Sequence, residues 1–289
     1  MRQVLFTIPV FGGLKVFGYG SMMVLALLGS TWMATWRARR EKLDPEIILD
    51  MAFWIFLLGI VGARLFYCFQ YWGRGINSWL DVVQYWKGGL VYYGGILGGT
   101  IAFFSYRRFR PFPLRPYLDT MAPAIMVGTF FGRLGCFLNG CCYGDPCNFP
   151  WAVSFPRPSP PWEFEVARGL ISPEATHSLP LHPTQLYSAL DSLVILLLLL
   201  AFYPLRRRDG EVLGLLMVAY PITRFLIEYL RNDEGVFFAG LTISQNISIL
   251  LLAGALAYWA WLARLPRSRH ADAAAEPSTA GQLLTPAAS

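Results

Sequence analysis

Charge is what this 289-residue sequence has least of: Asp, Glu, Lys and Arg together make up 15% of it, against roughly 25% in a soluble globular domain. Histidine is almost missing, with three in the whole chain, and the five cysteines contain no C-x-x-C pair. No sustained heptad pattern is present, and no long polar low-complexity run interrupts the main body of the chain. These shortages exclude intrinsic disorder, a coiled coil and a disulfide-framed miniprotein, and they make a soluble single-core globule a poor fit. What fills the space is apolar: 55% of residues are hydrophobic and the mean hydropathy is +0.44.

The apolar residues come in seven blocks of about 18–23 residues, near 18–36, 47–69, 89–106, 117–138, 184–204, 211–230 and 241–263, each long enough as a helix to cross a hydrocarbon core of roughly 30 Å. They lack the alternation of barrel strands, and only a helix or a closed barrel satisfies its backbone in lipid. The N-terminal stretch MRQVLFTIPVFGGLK lacks a small-residue cleavage site, so the first block reads as a retained span. The expectation is an all-α integral membrane protein, a bundle of seven transmembrane helices. Residues 1–266 form the membrane domain, with 139–183 as a small extracytoplasmic headpiece. Residues 267–289, rich in Ala, Ser and Pro, read as a disordered cytoplasmic tail.

Lysine and arginine set the orientation. Fourteen fall in clusters at 37–42, 107–115, 206–208 and 264–269, whereas the alternate loops hold seven: Arg2, Lys15, Arg74, Lys87, Arg157, Arg168 and Arg231. The crowded side is cytoplasmic by the positive-inside rule. This puts the N-terminus and residues 139–183 outside and the C-terminus inside. The net charge of +6 is accounted for by these clusters and calls for no nucleic acid.

Arg64, Arg133 and Arg224 remain, inside apolar blocks, where a charge costs at least roughly 2.5–3.5 kcal/mol. Each stands about five residues before the outer end of its block, one and a half helical turns. Tyr19 and Tyr93 open spans on that same side, and His182 precedes another. Snorkelling to the interface is the plain reading for a lone arginine such as Arg64. Arg133 lies in GRLGCFLNG, whose small residues allow close backbone approach. In YPITRFLIEYLRND, Tyr220, Arg224, Glu228 and Arg231 share one helical face. Arg224 and Glu228 either neutralise each other or serve a ligand. A guanidinium pair at headgroup depth suits a phosphate, which it grips through paired charge-assisted hydrogen bonds.

The ordered motifs GRLGCFLNG, LHPTQLYSAL, GEVLGLLMVAYPITRFLIEYLRND and LTISQNIS, with YGSM at Tyr19 and GGLVYYGGILGG at 88–99, resemble the prolipoprotein diacylglyceryl transferase family over residues 10–263. The resemblance implies a seven-helix bacterial inner-membrane enzyme. Its partners are phosphatidylglycerol and prolipoprotein signal peptides carrying a lipobox cysteine. Such an enzyme moves the diacylglyceryl group onto that thiol and releases glycerol 1-phosphate, the first step of lipoprotein maturation. By position, Arg133 matches the family's headgroup arginine and Arg224 its second essential arginine. Tyr19, Asn139, Gly140, Gly144, Tyr220 and Glu228 fall on further family positions. The sequence departs from the pattern at four places: Tyr93 stands for the usual His of HGG, Cys136 for Asn, Cys141 for Glu and Ser188 for Glu.

The chemistry needs a thiolate, because a thiol has a pKa near 8.5 and only its anion attacks well. It also needs cations to receive the charge of a departing phosphate. The arginines answer the second need; Tyr93, His182 and Glu228 are the candidates for a base. Cys68 reads as a packing residue. Cys136, Cys141, Cys142 and Cys147 crowd the outer side, where an oxidising compartment favours one or two disulfides among them. The C-x4-C-C-x4-C spacing with no adjacent histidine argues against zinc, so no metal or cofactor is expected. The alternative to the transferase is a non-catalytic or redox-active membrane paralogue that binds lipid and uses its cysteine cluster.

Overall fold

The computed structural model describes residues 4–8, 14–72, 78–84, 89, 91–231 and 236–270. Arg2, Arg74, Lys87 and the tail beyond His270, on which part of the orientation and the disorder reading rest, lie outside the described residues.

All seven apolar blocks are helical, with ends within a few residues of those expected: α1 (Gly18–Arg40), α2 (Pro45–Gln70), a short α3 (Trp79–Val83), α4 (Tyr92–Phe109), α5 (Leu114–Asn139), a short α6 (Pro160–Ala167), α7 (Thr184–Phe202), α8 (Glu211–Glu228) and α9 (Ile243–Ala263). Among the described residues, four segments are long and apolar enough to cross a membrane: Pro45–Gln70, Leu114–Asn139, Thr184–Leu205 and Ile243–Ala263. Helix α8 is less apolar because it carries Glu211, Arg224 and Glu228, and α1 and α4 are diluted by Gly, Ser and Thr. The burial pattern is inverted relative to a soluble protein. Leu250, Leu198 and Leu256 face outward, while Gln185, Ser188, Ser192, Gln245 and Ser248 are buried. Apolar residues facing out from long helices fit a lipid surround.

Two compact units make up the chain, residues 1–34 with 118–289, and residues 35–117. In the second, Asp44 caps α2 by accepting the Glu46 amide at 2.9 Å, with Pro45 in the first turn. Helices α2 and α4 pack backbone to backbone. A Cβ on Gly98 would stand 2.1 Å from the Leu58 carbonyl oxygen, and one on Gly94 2.4 Å from that of Gly62. Only glycine permits this approach.

In the first unit, α5, α7 and α8 enclose a core of Ala122, Met126, Ile195, Leu199, Tyr203, Val212 and Leu216. Asp119 of α5, fully buried, accepts the Gly210 amide at 2.7 Å and the Leu213 amide at 3.0 Å. It thereby satisfies orphan donors at the start of α8, and Arg206 lies 3.5 Å from its carboxylate. Residues 139–183 fold around Tyr143, Phe155 and Leu181. Glu165 of α6 accepts the Leu179 amide at 2.9 Å, and Trp162 donates to the Ala175 carbonyl at 2.7 Å. An antiparallel hairpin, β1 (Val4–Ile8) with β2 (Leu14–Phe17), precedes α1, and a smaller one, β3 (Val236–Phe238) with β4 (Leu241–Thr242), precedes α9.

Candidate functional site

The end of α5 gathers several of the expected residues. Arg133 is half-buried one and a half turns before that end. Among the described residues it makes no hydrogen bond or ion pair; its charge is felt by the Cys142 thiol. Beside it, Gly135 gives room to Tyr19, since a Cβ there would stand 3.2 Å from the Tyr19 ring. This brings the exposed start of α1 against α5. Arg64, by contrast, is buried in the other unit and spent on backbone. It donates to the carbonyls of Val82 at 3.0 Å and Gly89 at 3.1 Å, and also to those of Asp81 and Gln84. It ties the end of α3 and Gly89 to α2 and does not snorkel.

After α5 the chain reverses. Asn139 is the last helical residue, Gly140 takes a left-handed φ of +79°, and the Cys141 amide returns to the Cys136 carbonyl at 3.1 Å, a glycine-capped helix end. The next residue, Cys142, is also left-handed at φ +60° although it is not glycine. Two side chains of α7 hold this turn. Thr184 donates to the Cys142 carbonyl and Gln185 to the Cys141 carbonyl, both at 2.8 Å. Gly144 then wedges between elements. Its amide donates to the His182 carbonyl at 3.0 Å, and a Cβ on it would stand 2.3 Å from the Leu230 carbonyl oxygen.

The turn folds three sulfurs together. Cys136, Cys141 and Cys142 have their Sγ atoms within 4.8 Å of one another, all half-buried. All five cysteines are free thiols, so the disulfides expected among Cys136, Cys141, Cys142 and Cys147 are not formed here. Cys147 is outside the sulfur group because the chain has left the turn by then: its amide is bound to the Pro180 carbonyl. Hydrogen bonds from Cys136 and then Cys141 hold the Cys142 thiol below its usual range. Burial opposes them, and the charges of Arg231 and Arg133 add to the lowering.

At the far end of α8, Glu228 is almost fully buried. Arg224, one turn earlier, forms an ion pair with it and donates its other terminal nitrogen to Ser244 Oγ at 2.8 Å. Thr242 donates to Glu228 at 3.0 Å while capping α9 together with Gln245, and Arg231 stands 3.8 Å from the same carboxylate. The expected Arg224–Glu228 pair is therefore part of a network tying α8 to α9. Thr242, Ser244, Thr184 and Gln185 were not among the expected site residues. The T-x-x-Q capping box in LTISQ was a readable signal for Thr242; Thr184 and Gln185 lie in LHPTQLYSAL and Ser244 in LTISQNIS, motifs that carry the resemblance but do not announce these contacts.

The remaining expected residues are scattered. His182 Nδ1 is 3.2 Å from Tyr187 Oη, which accepts from Trp151 Nε1 at 2.7 Å; this chain of contacts belongs to the 139–183 segment and the start of α7. Tyr220 packs against the α5–α7–α8 core. Tyr93 is exposed in the first turn of α4, in the other unit.

Residues 3–261 match the family model described as prolipoprotein diacylglyceryl transferase. Among similar curated proteins, one from Clostridium tetani is 31% identical over 255 residues, covering 87% of this chain and 94% of the relative. One from Thermosynechococcus vestitus is 33% identical over 237 residues, covering 81% and 84%. One from Rhodopirellula baltica is 42% identical over 156 residues, covering 51% of this chain and 31% of the relative. Each of the three is named a phosphatidylglycerol–prolipoprotein diacylglyceryl transferase. With the match running from the first hairpin almost to the end of α9, the chain belongs to the prolipoprotein diacylglyceryl transferase family.

Proposed function

We propose that this protein transfers the diacylglyceryl group of phosphatidylglycerol to the lipobox cysteine of prolipoproteins. The sulfur attacks the glyceryl carbon, the carbon–oxygen bond to phosphate breaks, and glycerol 1-phosphate leaves. Beyond family membership, the observation that carries this reading is Arg133: a half-buried cation in an apolar helix, without a counter-carboxylate or hydrogen-bond partner among the described residues. Such a charge is costly unless a ligand completes it, and a phosphodiester fits its planar fork. Arg133 binds the headgroup and receives the leaving charge. Arg224 acts with it, held in place by Glu228 and Ser244. Glu228 is a poor base, because one of its oxygens serves Arg224 and Arg231 and the other serves Thr242.

In this reading the seven long helices all span a bacterial inner membrane, with the N-terminus and residues 139–183 outside and the C-terminus inside. The 139–183 headpiece guides the signal peptide. The test is complementation of a strain depleted of its own transferase, with mass spectrometry of a reporter prolipoprotein. A diacylglyceryl adduct that disappears in Arg133→Gln supports the proposal. Correct membrane insertion with no adduct from the unaltered chain rejects it in favour of a lipid-binding paralogue.

A further inference from the structure

We propose that Cys136, Cys141 and Cys142 form a three-thiolate zinc site whose fourth position receives the substrate cysteine. The inference rests on the transferase reading for its role, but the metal site can be tested without it.

The spacing that argued against zinc in the linear sequence loses its force once the helix end is seen. Zinc holds sulfur at about 2.3 Å in tetrahedral geometry, so its thiolates stand roughly 3.8 Å apart. The three Sγ atoms, all within 4.8 Å of one another, need only small side-chain rotations to reach that. The backbone is held in the conformation that gathers them. Cys142 occupies the left-handed region, which a non-glycine residue adopts at a cost of order 1–2 kcal/mol. Thr184 and Gln185 grip the carbonyls of the two adjacent cysteines from another helix. Strain fixed by its surroundings is a mark of functional positions.

The donor set decides the kind of site. Among the described residues, no histidine or carboxylate joins the three sulfurs. Four protein ligands close a structural zinc site, whereas three leave the position that a catalytic site uses. The sulfurs are half-buried, as access by a peptide thiol requires. Zinc with three thiolates carries one negative charge, and two when a fourth thiolate binds. Arg231 and Arg133 are the cations whose fields reach Cys142, and they offset that charge.

The site answers the need that the Tyr93 substitution leaves open. Coordination deprotonates a thiol outright, so no strong base is required. The substrate S–H binds the metal and loses its proton to water. The bound sulfur then attacks the glyceryl carbon, and the electron pair of the breaking C–O bond leaves on the phosphate oxygen. A neutral thioether, a weaker ligand than thiolate, departs from the metal. Zinc changes neither charge nor oxidation state, and no oxidant or reductant is consumed.

The experiment uses the full chain, reduced and purified in detergent, loaded separately with Zn2+ and Co2+. Elemental analysis should give about one zinc per chain, retained in Cys147→Ser and lost in the triple Cys136→Ser, Cys141→Ser, Cys142→Ser variant. The cobalt form should show a sulfur-to-metal charge-transfer band that shifts when a lipobox-cysteine peptide is added, and not with its serine analogue. That measurement needs no variant to fold. Each single serine variant should lose at least about tenfold in transfer from phosphatidylglycerol vesicles. Transfer by zinc-free protein, a cobalt band indifferent to the peptide, or an internal disulfide that reforms in preference to metal uptake would each overturn the zinc proposal. The transferase reading would stand in the first case. Zinc uptake and a peptide response with no lipid adduct would support the site and reject the transferase reading.

Discussion

The hydroxyl of Thr242 donates to the buried Glu228 carboxylate at 3.0 Å, so one residue both starts α9 and helps satisfy the charge at the end of α8. Arg224 is the other principal partner, and it also holds Ser244. An ammonium at position 224 cannot reach both Glu228 and Ser244 in the planar geometry of a guanidinium. Arg224→Lys should therefore cost at least about tenfold in turnover, roughly 1.4 kcal/mol. Arg224→Leu alone, which leaves the buried carboxylate with Thr242 and the more distant Arg231, should cost up to about 3–5 kcal/mol of stability. The double Arg224→Leu, Glu228→Leu change should recover part of that stability in thermal denaturation, yet stay inactive in the prolipoprotein assay. Activity in the double variant would make Arg224 a scaffold residue only.

Arg133 has no such network, so its replacement should separate activity from stability. Arg133→Lys should leave the melting temperature nearly unchanged and reduce kcat/KM for phosphatidylglycerol at least about tenfold. A large fall in melting temperature with normal turnover would assign it to the fold.

The glycine contact between α2 and α4 leaves no space for a methyl group. Gly98→Ala puts a carbon where the Leu58 carbonyl stands, and the helices must separate. Overpacking of this kind costs about 1–3 kcal/mol or more. Gly20→Ala, where the space is open, is the control. Equal thermal stability of the two variants would contradict the backbone contact.

Burial raises the pKa of Glu165, and the Leu179 amide only partly opposes it. A carboxyl whose folded pKa exceeds its unfolded value favours the folded state most below the unfolded value, and that contribution is lost as pH rises through the folded one. The 139–183 segment should accordingly be most stable at acidic pH and weaken as pH rises from about 4.5 through the raised value. In Glu165→Gln this dependence should flatten, measured as the melting-temperature difference from the parent across that window. A difference that does not vary with pH would exclude the effect.

Cysteines introduced singly at the exposed positions Arg39, Phe109 and Arg207 should resist an impermeant thiol reagent in intact cells, whereas one at Glu163 should react. Labelling at Arg207 from outside would reverse the proposed orientation.

The long helices were legible because an apolar run of some twenty residues is a signal carried by composition alone. The reach of individual polar residues was not. Arg64 looked like a lone arginine that snorkels, but its acceptors are backbone carbonyls in and after α3, and no side-chain pattern announces those. The three-sulfur group was hidden because its spacing becomes meaningful only after Gly140 turns the chain back. The hairpin Val4–Ile8 with Leu14–Phe17 escaped notice among apolar residues read only for span length. His182 was correctly placed before α7, but its neighbour is Tyr187, a contact set by how the chain enters the helix.

Gly144 carries one more consequence. Where α7 begins and α8 ends, the gap is filled by main chain: the Leu230 carbonyl lies where a side chain would start, and the Gly144 amide is bound to His182. A gate made of side chains opens by rotamer changes in picoseconds to nanoseconds, but a seam made of backbone opens only by breaking its hydrogen bonds. In the proposed reaction, a route for the phospholipid to Arg133 that crossed this seam would have to break those backbone hydrogen bonds.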